Sequence, residues 1–206
     1  MRINSAPYES ALNRVLFTPR LVLRPLDPED AHLLHLYVME NRLWLQPWEP
    51  ARDPSYYTQD IQRQILYQCL EERRNETGGV YGVFRREDEQ QLIGRISLFG
   101  ISRGIWQNCH LGYSLAYDHT SQGYMTEALR RIAHFCFADL DLHRIQAAVL
   151  PRNENSLRLA DRCQFRREGV ALRYMEVNDL WEDHVILALT IEEVDEVYFK
   201  GCLARR

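Results

Sequence analysis

Apolar and polar positions along the chain follow two periods, which together predict a mixed α/β domain. Two-residue alternation, or a short apolar run between turn residues, predicts strands at 21–26, 80–85, 92–99, 110–117, 144–150, 169–177 and 184–191. Apolar residues at helical spacing predict helices at 27–40, from 55, after Gly123 and at 156–162. The order β-α-α-β-β-β-α-β-α-β-β predicts an α+β fold with helices packed on one mixed sheet.

The strand predicted at 110–117 has two unlike faces. One face carries the large side chains Leu111, Tyr113, Leu115 and Tyr117. The other face carries mostly small groups, at His110, Gly112, Ser114 and Ala116. Because successive strand residues point to opposite sides of a sheet, we expect the small-residue face to leave a groove for an extended molecule.

The segment 121–126 follows this strand and opens a helix with free backbone N–H groups. The first acidic residue after it is Glu127, so the free donors and the positive end of the helix dipole predict an anion site. A groove that ends at an anion site suits coenzyme A, which joins an extended arm to a pyrophosphate. The alternative is that Gly123 only supplies a permissive conformation in an ordinary strand–turn–helix.

Prolines interrupt the periodic pattern between the first two predicted helices. Pro47, Pro50 and Pro54 predict an irregular, stiffened aromatic loop over 44–54. We expect residues 1–16 to form an irregular arm. Neither a repeat nor a linker is apparent, so the sequence predicts one domain over 1–206 with its core at about 17–191.

The formal net charge of this 206-residue chain is −4. Such a charge argues against nucleic-acid binding, which requires a basic surface, and favours a basic polypeptide as partner. No apolar run is long enough for a membrane span, and the first residues lack the apolar core of a signal peptide. We therefore expect a cytoplasmic protein that does not bind membranes.

The cysteines stand in mostly apolar surroundings, and no two of them have C-x-x-C spacing. This pattern predicts buried free thiols rather than a disulfide framework. The thiols concerned are those of Cys69, Cys109, Cys136, Cys163 and Cys202. The histidines are scattered without a ligand-like pair, so we expect no metal site.

Several stretches of the chain match a known pattern. They are TPRL at 18–21, ENRLWLQPWEPARD at 40–53, LGYSL at 111–115, RNENS at 152–156 and WEDHVILALT at 181–190. With the order of elements, they resemble the GCN5-related N-acetyltransferase (GNAT) superfamily, in particular its RimJ/RimL branch of ribosomal-protein N-terminal acetyltransferases, and most closely the RimJ type. The resemblance implies the GNAT fold, acetyl-CoA as co-substrate, and as acceptor a protein N-terminus, such as the alanine of a small-subunit ribosomal protein.

The sequence departs from the family pattern in two places. The phosphate loop of the family has the form R/Q-x-x-G-x-G/A, whereas this chain has Thr120 at the first position and Met125 at the last. Since backbone N–H groups do most of the phosphate binding, the loop keeps its main donors. Some relatives also carry a Glu just before the Gly-Tyr of the fourth strand, where this chain reads Cys109-His110-Leu111.

The resemblance implies a set of residues that contact coenzyme A. They are Ser114, Leu115, Ala116, Gln122, Gly123, Tyr124, Met125, Thr126, Asn153 and Ser156. Four arginines flank the expected cofactor tail and are candidates for its 3′-phosphate, although exposed arginines are common: Arg130, Arg131, Arg158 and Arg162.

Acetyl transfer from a thioester requires a neutral amine, an aligned carbonyl and a proton for the thiolate. The resemblance makes Ser156 the candidate proton donor, and the alternative is that this serine is only a helix N-cap. Asn153 is expected to bond the cofactor or a loop, or else to be a simple turn residue.

The general base is not fixed by the sequence. Glu49, in the aromatic loop, is the leading candidate, and its alternative is an exposed loop acid. Glu176 and His110 are weaker candidates. Tyr174 matches a tyrosine of RimJ-type sequences and is assigned to the catalytic groove by that resemblance.

The sequence does not decide which residues bind the acceptor or which partners the protein has. Trp44, Trp48 and Tyr57 are expected either to form a wall for a peptide N-terminus or to belong to the core. The alternative functions are acetylation of a small amine or antibiotic, and non-catalytic acyl-CoA binding at the ribosome. We expect a monomer or homodimer with no direct nucleic-acid contact.

Overall fold

A computed structural model describes residues 10–200 and 202–203 of the chain. Its strands are β1 (Leu16–Phe17), β2 (Leu21–Pro25), β3 (Gly78–Arg85), β4 (Asp88–Ser102), β5 (Asn108–Leu115), β6 (Arg144–Val149), β7 (Arg166–Val177) and β8 (Leu180–Thr190). Its helices are α1 (Ala31–Glu40), α2 (Arg42–Leu45), α3 (Gln59–Arg74), α4 (Tyr124–Ala138), α5 (Glu154–Arg162) and α6 (Glu196–Phe199).

The strands form one sheet in the order β1-β2-β3-β4-β5-β6-β8-β7. Every neighbouring pair is antiparallel except β5 and β6, which are parallel. The β5–β6 ladder holds three residue pairs and ends at His110 opposite Gln146, whereas β6 pairs with β8 as far as Val149. The predicted mixed sheet is confirmed, and it is open in its middle beyond His110.

Helices cover both faces of the sheet. On the face of Leu111, the α4 side chains of Ala128 and Ile132 are fully buried in the larger apolar cluster. On the opposite face, Tyr37 of α1 and Leu66 of α3 belong to a second cluster. Burying one large apolar side chain contributes about 1.5–3 kcal/mol, so this packing fixes the helices against the strands that carry the site.

Two helix starts next to the site follow from local chemistry. Gly123 precedes α4 with φ +81°, a left-handed conformation that glycine adopts without the strain of a side chain. Asn153 precedes α5, and its side-chain oxygen accepts a hydrogen bond from the backbone N–H of Ser156 at 3.1 Å. The helix N-cap is therefore Asn153, and the alternative prediction that Ser156 caps this helix is wrong.

The structure corrects several predicted boundaries. The segment 44–54 is irregular only over 49–53, since α2 ends at Leu45 and Pro47 lies in the first turn of a 3₁₀ helix, where its missing N–H costs no hydrogen bond. The second helix begins at Gln59 rather than at 55, after a 3₁₀ turn. The expected irregular arm contains the 3₁₀ turn Ala11–Asn13 and the start of β1, while residues 1–9 lie outside the described part.

The cysteine prediction is confirmed, because all five thiols are buried and free. Among residues 10–200 and 202–203, no cluster of His, Cys, Asp and Glu side chains is arranged to hold a metal ion. No helix in the same described ranges combines the length and apolar character needed to cross a bilayer.

Candidate functional site

A cavity of about 550 Å³ lies between β5, the N-terminal end of α4 and the start of α5. We call it the α4 cavity. Its lining includes every residue predicted to contact the cofactor except Ala116 and Gln122. Those present are Ser114, Leu115, Gly123, Tyr124, Met125, Thr126, Asn153 and Ser156.

The N-terminal end of α4 gives this cavity the character of an anion site. Thr120, Ser121 and Gly123 line it next to the first, unbonded N–H groups of the helix. Arg158 and Arg162 line it from α5. A pyrophosphate is bound by backbone N–H donors, the positive end of a helix dipole and guanidinium groups. The cavity offers all three, so the described residues fit coenzyme A.

Arg20 controls the charge around the same helix end. Its backbone N–H and Nε atom donate to the two carboxylate oxygens of Glu127 at 3.0 and 2.7 Å. Its Nη1 atom donates to the carbonyl oxygen of Gln122 at 2.9 Å, and its guanidinium lies over the ring of Tyr124 at 4.6 Å. Glu127 is the acid of the first turn of α4, so Arg20 compensates the negative charge nearest to the anion site.

The predicted groove on the small-residue face of the strand is wrong. The Ser114 hydroxyl on that face accepts hydrogen bonds from Tyr37 at 2.9 Å and Arg95 at 3.3 Å. Ala116 is buried among the side chains of α1, and the ring of His110 stacks on Phe99. Protein atoms thus fill this face around Ser114 and Ala116, whereas Gly112 borders a cavity between β5 and β6, and the α4 cavity opens on the side of the larger residues.

The remaining cofactor candidates lie outside the cavity lining. The side chain of Gln122 donates to the carbonyl oxygen of Asp118 at 2.9 Å. Arg130 donates to the carbonyl oxygen of Arg162 and lies over the ring of Tyr198. Burial lowers the pKa of Arg131, whose side chain packs beside His134. These contacts hold the three side chains in place within the protein.

A second cavity, of about 500 Å³, occupies the opening between β5 and β6 and extends to β7 and β8. We call it the β6–β7 cavity. Tyr174, Glu176 and His184 line it, together with backbone and side chains of β5 and β6. It shares four lining residues with the α4 cavity, namely Trp48, Tyr113, Asn153 and Ser156. The two cavities therefore meet at Ser156.

The hydroxyl oxygen of Ser156 lies 2.8 Å from the phenolic oxygen of Tyr113 at this meeting point. Burial raises the pKa of Tyr113 to about 12, while its bond to Ser156 acts in the opposite direction. The phenol is therefore protonated throughout the physiological range. Two hydroxyl groups in contact form a relay that can deliver a proton into either cavity.

Glu49 lies at the edge of the α4 cavity and of a third cavity of about 320 Å³ beside α2. One carboxylate oxygen accepts a hydrogen bond from Nη2 of Arg95 at 2.5 Å. Arg95 is buried, which opposes its charge, but the carboxylate of Glu49 raises its pKa above the ordinary value. Glu49 is thus the counter-ion of a buried arginine and not an exposed loop acid.

The three aromatic residues predicted to form a wall for a peptide line two different cavities. Trp44 and Trp48 line the α4 cavity, and the indole N–H of Trp44 donates to the carbonyl oxygen of Leu115 at 3.1 Å. Tyr57 lines the cavity beside α2. Arg152 lies over the Trp48 ring and pairs with Glu182 of β8 at 2.5 Å, which connects the aromatic loop to β8.

Sequence reasoning missed three residues at the site. Tyr113 was assigned only to a strand face, Arg95 was not singled out, and His184 appeared only inside the stretch 181–190. The first two act through partners more than forty positions away, Ser156 and Glu49, so no local spacing connects them. For His184, a histidine in an otherwise apolar strand was the available signal.

The chain matches the family model described as Acetyltransferase (GNAT) domain over residues 20–166. It is 37% identical over 169 residues to the probable N-acetyltransferase YjcK of Bacillus subtilis, covering 82% of this chain and 93% of that protein. It is 35% identical over 184 residues to the [ribosomal protein uS5]-alanine N-acetyltransferase of Escherichia coli, covering 89% of this chain and 94% of that protein.

A solved structure has the same architecture. The complex of Mycobacterium smegmatis RimJ with a coenzyme A disulfide superimposes with a TM-score of 0.86 at 26% identity, covering 91% of this chain and 92% of that one. The fold implied by the sequence resemblance is therefore confirmed, with the sheet open at the place where two cavities meet.

Proposed function

Since the chain belongs to the GNAT family and is an N-acetyltransferase with acetyl-CoA as its donor, we propose that it acetylates the α-amine at the N-terminus of a protein. The leading acceptor is a ribosomal protein whose first residue is alanine, by analogy with the Escherichia coli relative named for that reaction. Such an acceptor would place the reaction in the cytoplasm.

The donor occupies the α4 cavity in this proposal. Its pyrophosphate lies at the first turn of α4, where Ser121, Gly123 and Tyr124 line the cavity. Its arm follows β5 toward Ser156, and Arg158 and Arg162 lie on the side of its phosphates. The thioester then reaches the place where the α4 cavity joins the β6–β7 cavity.

The acceptor enters from the opposite direction through the β6–β7 cavity. Tyr174, Glu176 and Trp181 line this approach, and Tyr174 and Trp181 are exposed enough to contact a polypeptide. An extended N-terminus needs a narrow passage to bring a primary amine to a buried thioester. The proposal therefore assigns Tyr174 to acceptor positioning.

The reaction forms a C–N bond at the acetyl carbonyl and breaks the C–S bond to coenzyme A. The departing sulfur takes a proton from the hydroxyl of Ser156, and Tyr113 replaces it through the 2.8 Å contact between the two oxygens. Glu49 uses one carboxylate oxygen to bind Arg95, and its second oxygen, beside the aromatic loop, attracts an incoming ammonium. A low-dielectric site makes this attraction stronger than it would be in water.

The observation that carries the proposal is the meeting of two cavities at one hydroxyl pair. One cavity has the anion-binding chemistry that a nucleotide donor needs, and the other is open to a polypeptide. A binding protein without turnover would not require a second cavity at the thioester position.

Mass spectrometry of acetyl incorporation tests the proposal. The protein would be incubated with acetyl-CoA and basic peptides that begin with Ala, Ser or Met, with an N-terminally blocked peptide and spermidine as controls. We expect a mass gain of one acetyl group on the free Ala peptide and none on its blocked form.

Other results would point elsewhere. Acetylated spermidine with untouched peptides would favour a small-amine acetyltransferase. Binding of coenzyme A with no incorporation into peptides or intact ribosomal proteins would favour the non-catalytic alternative.

A further inference from the structure

His184 is a buried side chain, 3% exposed, in the strand β8. It lines the β6–β7 cavity, which also contains Ser156. A buried imidazole loses hydration, so its position at a cavity wall calls for a chemical explanation. Neither the donor site nor the hydroxyl relay uses it.

Its tautomer follows from one hydrogen bond. Nδ1 of His184 lies 3.0 Å from the carbonyl oxygen of Glu182. A carbonyl oxygen only accepts, so Nδ1 carries the hydrogen and the neutral ring has its lone pair on Nε2. No hydrogen bond within the described residues uses Nε2, which leaves this atom for a molecule in the cavity.

The charged and titratable groups around the ring leave this lone pair available. The Glu182 carboxylate is held by Arg152 at 2.5 Å, and the ring of Tyr174 lies 5.8 Å from the imidazole ring. The other ionisable groups facing the same cavity are Tyr113 of β5 and Glu176 of β7. Within the described residues no ion pair includes His184, so a proton taken up by this ring does not break one.

The acceptor chemistry needs such an atom. An α-amine has a pKa of about 8, so most of it is protonated at neutral pH and must lose a proton before it attacks. The carboxylate of Glu49 is bonded to Arg95, and its pairing would be broken if it served as the proton acceptor. A neutral imidazole with a free ring nitrogen is the side chain that most often removes such a proton in enzymes.

We propose that His184 is the general base of the reaction and takes the proton of the acceptor's α-ammonium on Nε2. This inference rests on the proposed function. The ammonium gives its first proton to Nε2, directly or through one water, and the imidazolium returns it to solvent. The nitrogen passes its second proton to the Tyr113–Ser156 pair as the C–N bond forms and the C–S bond breaks. An equivalent proton reaches the sulfur through Ser156, which balances the transfer.

The test compares His184→Gln and His184→Ala with the matched control His134→Gln. His134 is a half-buried histidine that packs edge-to-face on Phe199 and lies outside the three cavities. With saturating acetyl-CoA and Ala peptide at pH 7, we expect kcat to fall about 100-fold in both His184 variants. The rate of these variants should keep rising at pH values where the wild-type rate has already levelled off, and added imidazole should restore part of the rate of His184→Ala only.

Two measurements separate catalysis from folding. Coenzyme A affinity should stay near the wild-type value in all three variants, which shows that each is folded. In the wild type, long-range ¹⁵N–¹H NMR should find the hydrogen of His184 on Nδ1 and a shift of Nε2 on peptide binding. A hydrogen on Nε2, or an unchanged pH profile in His184→Gln, would overturn the proposal. If the wild type itself does not acetylate an N-terminus, the proposed function fails first.

Discussion

The hydroxyl oxygen of Ser156 in α5 lies 2.8 Å from the phenolic oxygen of Tyr113 in β5, where the α4 cavity meets the β6–β7 cavity. Ser156→Ala should lower kcat about 100-fold, because the thiolate loses its nearest proton donor. Tyr113→Phe should lower kcat less, and the double variant should be close to Ser156→Ala because the two groups act as one unit. Steady-state kinetics with acetyl-CoA and a peptide checks this.

Helix stability provides the control for Ser156. Asn153 is the N-cap of α5, so Asn153→Ala should cost about 1 kcal/mol of folding free energy while Ser156→Ala leaves the Tm nearly unchanged. Coenzyme A affinity should change little in Ser156→Ala. If Ser156→Ala lowers the Tm and leaves kcat at the wild-type value, its role is structural.

Glu49→Gln tests the sequence-based candidate for the base. We expect a higher KM for the peptide, because the negative group that attracts the ammonium is lost, with the pH dependence of kcat kept. The variant also leaves the buried charge of Arg95 unpaired, at a cost of about 3 kcal/mol, so kinetics should be measured well below its Tm.

The double variant with Arg95→Gln is the matched control for Glu49, since it removes both charges together. Its stability should exceed that of Glu49→Gln alone. A kcat profile displaced to higher pH in Glu49→Gln would assign the base to Glu49 and would contradict the assignment to His184.

Arg20→Gln should weaken coenzyme A binding roughly tenfold, about 1.4 kcal/mol, because the Glu127 carboxylate is then uncompensated at the positive end of α4. Isothermal calorimetry measures this. The double variant with Glu127→Gln should regain most of the affinity, and affinity for pantetheine, which has no pyrophosphate, should not change. Equal losses for coenzyme A and pantetheine would show that Arg20 acts only through the fold.

Stability should fall in alkaline solution. Burial raises the pKa of Cys69 and of Cys202 to about 11 and that of Cys163 to about 12. An unfolded thiol loses its proton near pH 8.5, so between about 8.5 and 11 the unfolded chain binds fewer protons than the native one. Each thiol then lowers the free energy of unfolding by up to about 1.4 kcal/mol per pH unit.

Urea unfolding from pH 7 to 11 checks the alkaline prediction. Cys69→Ala should have a shallower decline than the wild type over this range, whatever its stability at pH 7. Equal slopes in the two proteins would mean that the Cys69 thiol titrates alike in the folded and unfolded chains.

The sequence predicted those parts of the protein in which local chemistry decides the outcome. Gly123 and the polar residues before it marked the start of α4, alternating apolar residues marked β5, and a nearly continuous apolar run marked β8. The groove was assigned to the wrong face of β5, because the pattern says which residues share a face but not which helix packs on it. Tyr37 and Arg95 fill that face from distant parts of the chain.

The same limit applies to the candidate base. The sequence left Glu49 either as the base or as an exposed loop acid, because its buried partner Arg95 lies forty-six positions away. The hydrogen bond that fixes the His184 tautomer involves a backbone carbonyl, which no residue type in the sequence reports. Pairwise long-range contacts therefore decide roles that composition and spacing leave open.

The three residue pairs between β5 and β6 are the whole ladder that joins the two parts of the sheet. A ligand in the β6–β7 cavity contacts β5 on one side and β6 on the other, so it adds contacts between the two parts of the sheet. Binding to the native state alone stabilises it by about 2.7 kcal/mol at a hundred times Kd. An acceptor polypeptide in the β6–β7 cavity would then also hold the two parts of the sheet together, and amide hydrogen exchange in β5 and β6 should slow together when it binds.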